Sequence, residues 1–153
     1  EIYTLSLHDA LPISTSDEYL FYDSKLAVTA PELQDLYRYT LWGRSRSVEG
    51  IQSMIEETSI CFSARHQDKL VGFCRILTDF VYRASLWDVI VHPAHQGRGL
   101  GSALVDYALN HPAIRGIPMI LTYTSEWESF MESRGFEARK GMLTLLRCPI
   151  EYS

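Results

Sequence analysis

Cysteine is scarce in this chain. Three occur in 153 residues, Cys61, Cys74 and Cys148, and their wide spacing and odd number match neither a zinc site nor a disulfide framework. They read as reduced core thiols of a cytoplasmic protein. Long apolar runs are also missing: none approaches the roughly 18 residues of a membrane span, so no membrane partner is expected. Basic residues are in the minority, 14 against 19 acidic ones for a net charge of -5. Without a basic stripe, sequence-independent nucleic-acid binding is excluded and no nucleic-acid partner is expected. No repeat and no linker divides the chain, and its length suits one domain that can bury a core without staples.

The first thirteen residues, EIYTLSLHDALPI, begin with Glu1, lack the positive start of a secretory leader and carry Asp9 where a leader would be apolar. The string resembles the in-frame translation of a common sequencing adapter along its whole length. Residues 1–13 are therefore expected to be a non-native, disordered tail, and residues 14–153 a single domain.

Beyond that tail, EYLFYD predicts a first strand. Thr29-Ala30-Pro31-Glu32 has the spacing of a capping box, followed by Leu33, Leu36, Tyr37 and Leu41 at helical intervals. Ser47 opens a second helix with Val48, Ile51, Met54 and Ile55 as its buried stripe. SICFSAR and LVGFCRILTD, joined by the turn-like HQDK, predict a hairpin, and SLWDVIV a fourth strand ended by His92-Pro93. A helix follows from Leu100 toward Asn110, then PMILTYT as a buried strand. Ser125-Glu126-Trp127-Glu128 predicts a second capping box whose helix ends at Gly135, and GMLTLLRC a closing strand. This order predicts an α/β fold with a mixed sheet covered by helices on both faces.

The chemistry points to HQGRGLGS, residues 95–102. Gly97, Gly99 and Gly101 occupy the first, third and fifth places of the run. A dinucleotide fingerprint needs the first, third and sixth, plus an acidic residue further on that is absent near position 120. A phosphate-binding P-loop ends in Gly-Lys, and no lysine is present. What remains is a strand, a turn and glycines running into a helix. Glycine lets a ligand approach the main chain, and the first helical amides have no internal partners, so several N–H groups can converge on one anion. Arg98 can add a charge-assisted contact, and a diphosphate meets these conditions.

Gln96-Gly97-Arg98-Gly99-Leu100-Gly101 resembles the Q/R-x-x-G-x-G/A signature of the GNAT superfamily of N-acetyltransferases, following Val91-His92-Pro93 as that signature follows V-x-P. Phe130-Met131-Glu132-Ser133-Arg134-Gly135-Phe136 resembles the family's F-Y-x-x-x-G-F segment. The likeness runs from about Tyr19 to Cys148. It implies a mostly antiparallel central sheet and acetyl-CoA as co-substrate. The diphosphate would lie on the amides of Gln96, Gly97, Arg98, Gly99, Leu100 and Gly101, with Ser102 and Phe130 beside it. The pantetheine arm would lie along Val89, Ile90 and Val91, where the fourth and fifth strands part. Direct acetyl transfer to a primary amine follows, that of a small molecule being the expected acceptor; for the assembly, a monomer and a homodimer are equally open.

Such an amine, with a pKa near 10.4, is mostly protonated at neutral pH, and freeing its lone pair costs roughly 4 to 5 kcal/mol. Asp88, inside an otherwise apolar strand, is the candidate base, its pKa expected to rise on burial; a carboxylate hydrogen-bonded to a neighbouring loop is the other reading. The family resemblance implies that a backbone amide near Ile90 or Val91 polarises the thioester carbonyl. The family's acid is the tyrosine of F-Y-x-x-x-G-F, but Met131 stands there and cannot donate a proton. Tyr123, Ser125 or solvent are the substitutes. Met131 also keeps open a non-catalytic module that senses acyl-CoA, and acetylation of a protein lysine or N-terminus is a third reading. His92 and His95 flank Pro93 without a third ligand, so no metal is expected. Tyr37, Tyr39 and Trp42 are expected to border the acceptor cleft or to pack in the core.

Overall fold

The structure, a computed structural model, describes residues 18–145 and 147, together with the backbone of residues 4–6. One sheet organises them. Its strands, β1 (Thr4–Ser6), β2 (Leu20–Tyr22), β3 (Ile60–His66), β4 (Lys69–Thr78), β5 (Arg83–Val91) and β6 (Met119–Thr122), lie in chain order. All neighbours pair antiparallel except β5 and β6, which run parallel. β1, along the outer edge of β2, falls within the segment expected to be a disordered tail.

The helices form where local chemistry starts them. At α1 (Ala30–Tyr37) the Thr29 side chain accepts from the Glu32 amide and Glu32 reaches back to the Thr29 amide, the expected capping box. Ser47 caps α2 (Val48–Glu57) by accepting from the Gly50 amide. The sheet's two-residue period then sorts its side chains between two cores. Cys61, Phe73 and Ile90 pack with Leu33, Leu36, Tyr37, Ile51 and Ile55 beneath α1 and α2. Phe62, Cys74, Ile76 and Leu86 pack with Leu104, Val105 and Ala108 of α3 (Leu100–Leu109). Burial raises both thiols, that of Cys61 to about 11, so both remain protonated core groups; Cys148 lies outside the described residues.

Three expectations fail toward the C-terminal end. β6 is half-exposed rather than buried, because it stands at the sheet's edge. Helix α4 (Glu128–Ser133) begins two residues late: the N-cap is Trp127 rather than Ser125, and the Trp127 amide donates to Thr124 Oγ1 at 2.9 Å. The turn built by Thr124 thus competes successfully with the predicted box. The helix does end as expected, with Gly135 left-handed at φ 98° and the Phe136 and Gly135 amides on the carbonyls of Met131 and Glu132. Residues 142–145 form no strand, and Leu143 and Leu145 are largely exposed; alternation alone does not make a strand where no neighbour takes its hydrogen bonds. Leu146 and Cys148 of that expected strand lie outside the described residues.

Candidate active site

At the end of β5 the chain is folded back on itself. His92 Nδ1 accepts from the Ala94 amide, a single 3-10 turn covers Pro93–His95, and Gln96 Nε2 donates to the Val91 carbonyl at 3.0 Å. Gly97 and Gly99 then take left-handed φ of 75° and 80°, a region costing other residues roughly 1 to 2 kcal/mol. Gly99 is the N-cap of α3, and no side chain caps that end. The Leu100, Gly101 and Ser102 amides of the first turn therefore lack helical acceptors, and Gly101 and Ser102 are partly exposed. Leu100 is buried and anchors the helix, while a Cβ on Gly101 would lie 3.5 Å from Val91 and 3.7 Å from Phe130. Gln96, Gly97, Arg98, Gly99, Leu100, Gly101, Ser102, Val91 and Phe130 thus come together at one place. Arg98 leans across the loop, its Nη1 donating to the Tyr19 hydroxyl at 3.3 Å, which in turn lies 2.7 Å from His95 Nδ1.

The unpaired end of β5 leads to this loop. β6 pairs with β5 only from Arg83 to Leu86, where Thr122 Oγ1 donates to the Leu86 carbonyl at 3.0 Å. From Trp87 to Val91 the strand has no parallel neighbour, so Val89, Ile90 and Val91 line the fork. Within it β5 bulges: Arg75 pairs with Trp87 and Phe73 with Ile90, leaving Asp88 and Val89 opposite Cys74 alone. Asp88 has φ 56°.

The Asp88 carboxylate differs from the sequence expectation. Its Oδ2 accepts from Tyr37 Oη at 2.7 Å and from Arg46 Nη1 and Arg75 Nε, each at 2.8 Å. Burial pushes the carboxyl up, but the guanidiniums of Arg75 and Arg46 and the Tyr37 hydroxyl outweigh it and hold the group below the usual carboxylate range. A carboxylate so held is a poor base at neutral pH, which corrects the predicted rise. Arg46 also sits over the rings of Tyr37 and Trp42, at 4.9 and 5.3 Å. Neither Arg46 nor Arg75 is marked by a motif; the signal for Arg75 is an arginine in the apolar LVGFCRIL opposite an aspartate in SLWDVIV.

The remaining candidates divide. Tyr123 follows β6 at the fork and is half-exposed; Ser125, two residues on, is exposed and has no role in capping α4. Met131 is buried in the α3 core. Tyr37 is a core residue, whereas Tyr39 is exposed and packs edge-on against His92 at 4.8 Å, bringing the loop between α1 and α2 beside the end of β5. His92 and His95 lie in a ring cluster with Tyr19 and His66. Among the described residues, no three His, Cys, Asp or Glu side chains are grouped to hold a metal ion, and no helix is long and apolar enough to cross a membrane.

Comparison with known proteins fits this geometry. Residues 57–138 match the acetyltransferase (GNAT) domain family. The chain is 30% identical over 130 residues to an uncharacterized ycf52-like N-acetyltransferase of Prochlorococcus marinus, covering 81% of this chain and 72% of that one. It is 37% identical over 73 residues to the histone acetyltransferase TAP1 of Glycine max, spanning 47% of this chain but only 32% of the relative. Among solved structures, a GNAT-family protein from Xanthomonas campestris pv. campestris superposes with a TM-score of 0.78 at 25% identity, covering 88% of this chain and 96% of that one. With the glycine loop, the forked strands and these relatives in agreement, the chain belongs to the GNAT superfamily of N-acetyltransferases.

Proposed function

We propose that this enzyme transfers the acetyl group of acetyl-CoA directly to the primary amine of a small molecule. The observation that carries the reading is the uncapped, glycine-opened start of α3 at the end of a strand whose neighbour has parted from it. The amides of Leu100, Gly101 and Ser102 and the positive end of the helix dipole suit a diphosphate, the dipole adding roughly 0.3 to 1 kcal/mol. Val89, Ile90 and Val91 offer main-chain groups to the amide-bearing arm.

Acetyl-CoA supplies the activated acyl group, and the chain's own residues do the rest. A β5 amide beyond the bulge polarises the thioester carbonyl. The acceptor enters between β5 and the loop carrying Tyr39 and Trp42, and its proton leaves to solvent, because Asp88 is committed to Arg46, Arg75 and Tyr37. Tyr123 at the fork returns a proton to the departing thiolate, whose ordinary pKa near 8.5 also lets solvent serve. No metal takes part in this scheme.

A second reading, transfer to a protein lysine or N-terminus, draws on the soybean relative's name. Both are tested by incubating the protein with acetyl-CoA and a panel of small amines and lysine peptides while following free thiol. Release with small amines supports the proposal, and release with peptides alone supports the second reading. Tight acetyl-CoA binding without release under any acceptor would mark an acyl-CoA-sensing module, consistent with Met131.

A further inference from the structure

Three elements converge on one oxygen atom at the fork: the end of α1 through Tyr37, the loop before α2 through Arg46, and β4 through Arg75. The recipient, Asp88, is the one residue of β5 with a left-handed backbone. It is also a bulge residue, two positions beyond the last pairing to β6. Left-handed φ is uncommon outside glycine, although aspartate tolerates it better than most, and such a conformation persists only where surrounding contacts over-determine it. Here they do: the carboxylate side chain is 6% exposed and its two guanidinium partners 22% and 14%. Bulges bend a strand and re-aim the groups that follow. Those that follow are Val89, Ile90 and Val91, the stretch of β5 without a β6 partner. The same Arg46 belongs to the loop that Tyr39 brings against His92, so that loop and the unpaired end of β5 are joined through a single carboxylate.

We propose that Asp88 is a positioning residue: its carboxylate, gripped by Tyr37, Arg46 and Arg75, holds the β5 bulge and locks the 38–47 loop to it, setting donor and acceptor in register. The assignment rests on the transferase reading for its effect on turnover, though not for its effect on the structure. No proton passes through Asp88.

Asp88→Asn keeps the size of the side chain and removes the charge. With the amine identified by thiol release, kcat should fall about 30- to 100-fold, the scale of a small misplacement of reactants, while the acetyl-CoA Kd changes less than about 3-fold. The pH profile of kcat should keep the shape of the parent enzyme. A profile that loses its acidic limb would make Asp88 a base and overturn the proposal, as would an unchanged kcat. Should Asp88→Asn not fold, Tyr37→Phe removes one donor of three and carries the same readouts, with kcat down roughly 5-fold. Hydrogen exchange on either variant gives an answer independent of turnover. Amides of residues 38–47 and 88–91 should exchange faster together while those of α3 stay protected. Acceleration in only one segment, or in neither, overturns the proposal even where no amine accepts an acetyl group, so its failure is distinguishable from failure of the transferase reading.

Discussion

The glycine loop and the Asp88 cluster lie at two ends of one short stretch of β5, and they are built in opposite ways. The loop is contiguous, residues 96–102, and presents main-chain amides whose direction follows from two left-handed glycines and an uncapped helix. The cluster is assembled from positions 37, 46, 75 and 88 and works through charged side chains. One site depends on the absence of side chains, the other on three donors meeting one oxygen. Damage to the first should therefore appear in cofactor affinity with the fold retained, and damage to the second in stability and turnover with affinity retained.

The sharpest way to break that contrast is Gly99→Val. A branched side chain at φ 80° strains the loop and crowds the amides, so acetyl-CoA affinity should fall by about two orders of magnitude, as for loss of a set of oriented donors. Calorimetric titration reads the affinity, and unfolding free energy should fall by about 1 to 2 kcal/mol, the cost of the left-handed backbone, less than the loss expected at the buried carboxylate. Arg75→Met should do the reverse. It leaves a buried carboxylate with one guanidinium fewer, and unfolding free energy should drop by about 3 kcal/mol in urea titrations at neutral pH, with acetyl-CoA affinity nearly unchanged.

Acid sharpens the same comparison. The Asp88 carboxyl is held below its unfolded value. Its contribution is therefore complete above the unfolded pKa near 3.9 and is lost as pH falls below that toward the folded value. Urea midpoints of the parent protein should decline through that acidic window more steeply than those of Asp88→Asn. Thr29→Ala, which removes the capping box at the opposite end of α1 from Tyr37, should cost about 1 kcal/mol and leave both affinity and turnover intact. The smallest effect belongs to Ser125→Ala, under about 0.5 kcal/mol, because Trp127 and Thr124 form the α4 terminus.

What could be read from the sequence follows the same division. Caps at Thr29 and Ser47, the left-handed turn at Gln67 and Asp68, the start of α3 and the Gly135 terminus are decided by residues within four positions of one another, and all were legible. The elements that misled depend on partners elsewhere. β6 is half-exposed because of its place in the strand order, and residues 142–145 have strand-forming character but, among the described residues, no strand beside them. Asp88 stands out in the sequence as a charge inside an apolar strand. The direction of its pKa was not accessible, because Arg46 and Arg75 lie 42 and 13 residues away and reach it only once α1, α2 and β4 are packed. Burial alone predicts a rise; burial beside two guanidiniums gives a fall.

The account rests on the amides at the start of α3 receiving the diphosphate of acetyl-CoA. Backbone amide resonances followed by NMR during an acetyl-CoA titration test this directly. The largest shifts should fall on Gly97 and on Gly99 to Ser102, with smaller ones along Val89 to Val91. Saturable binding that shifts other segments and leaves Gly99 to Ser102 unmoved would contradict it.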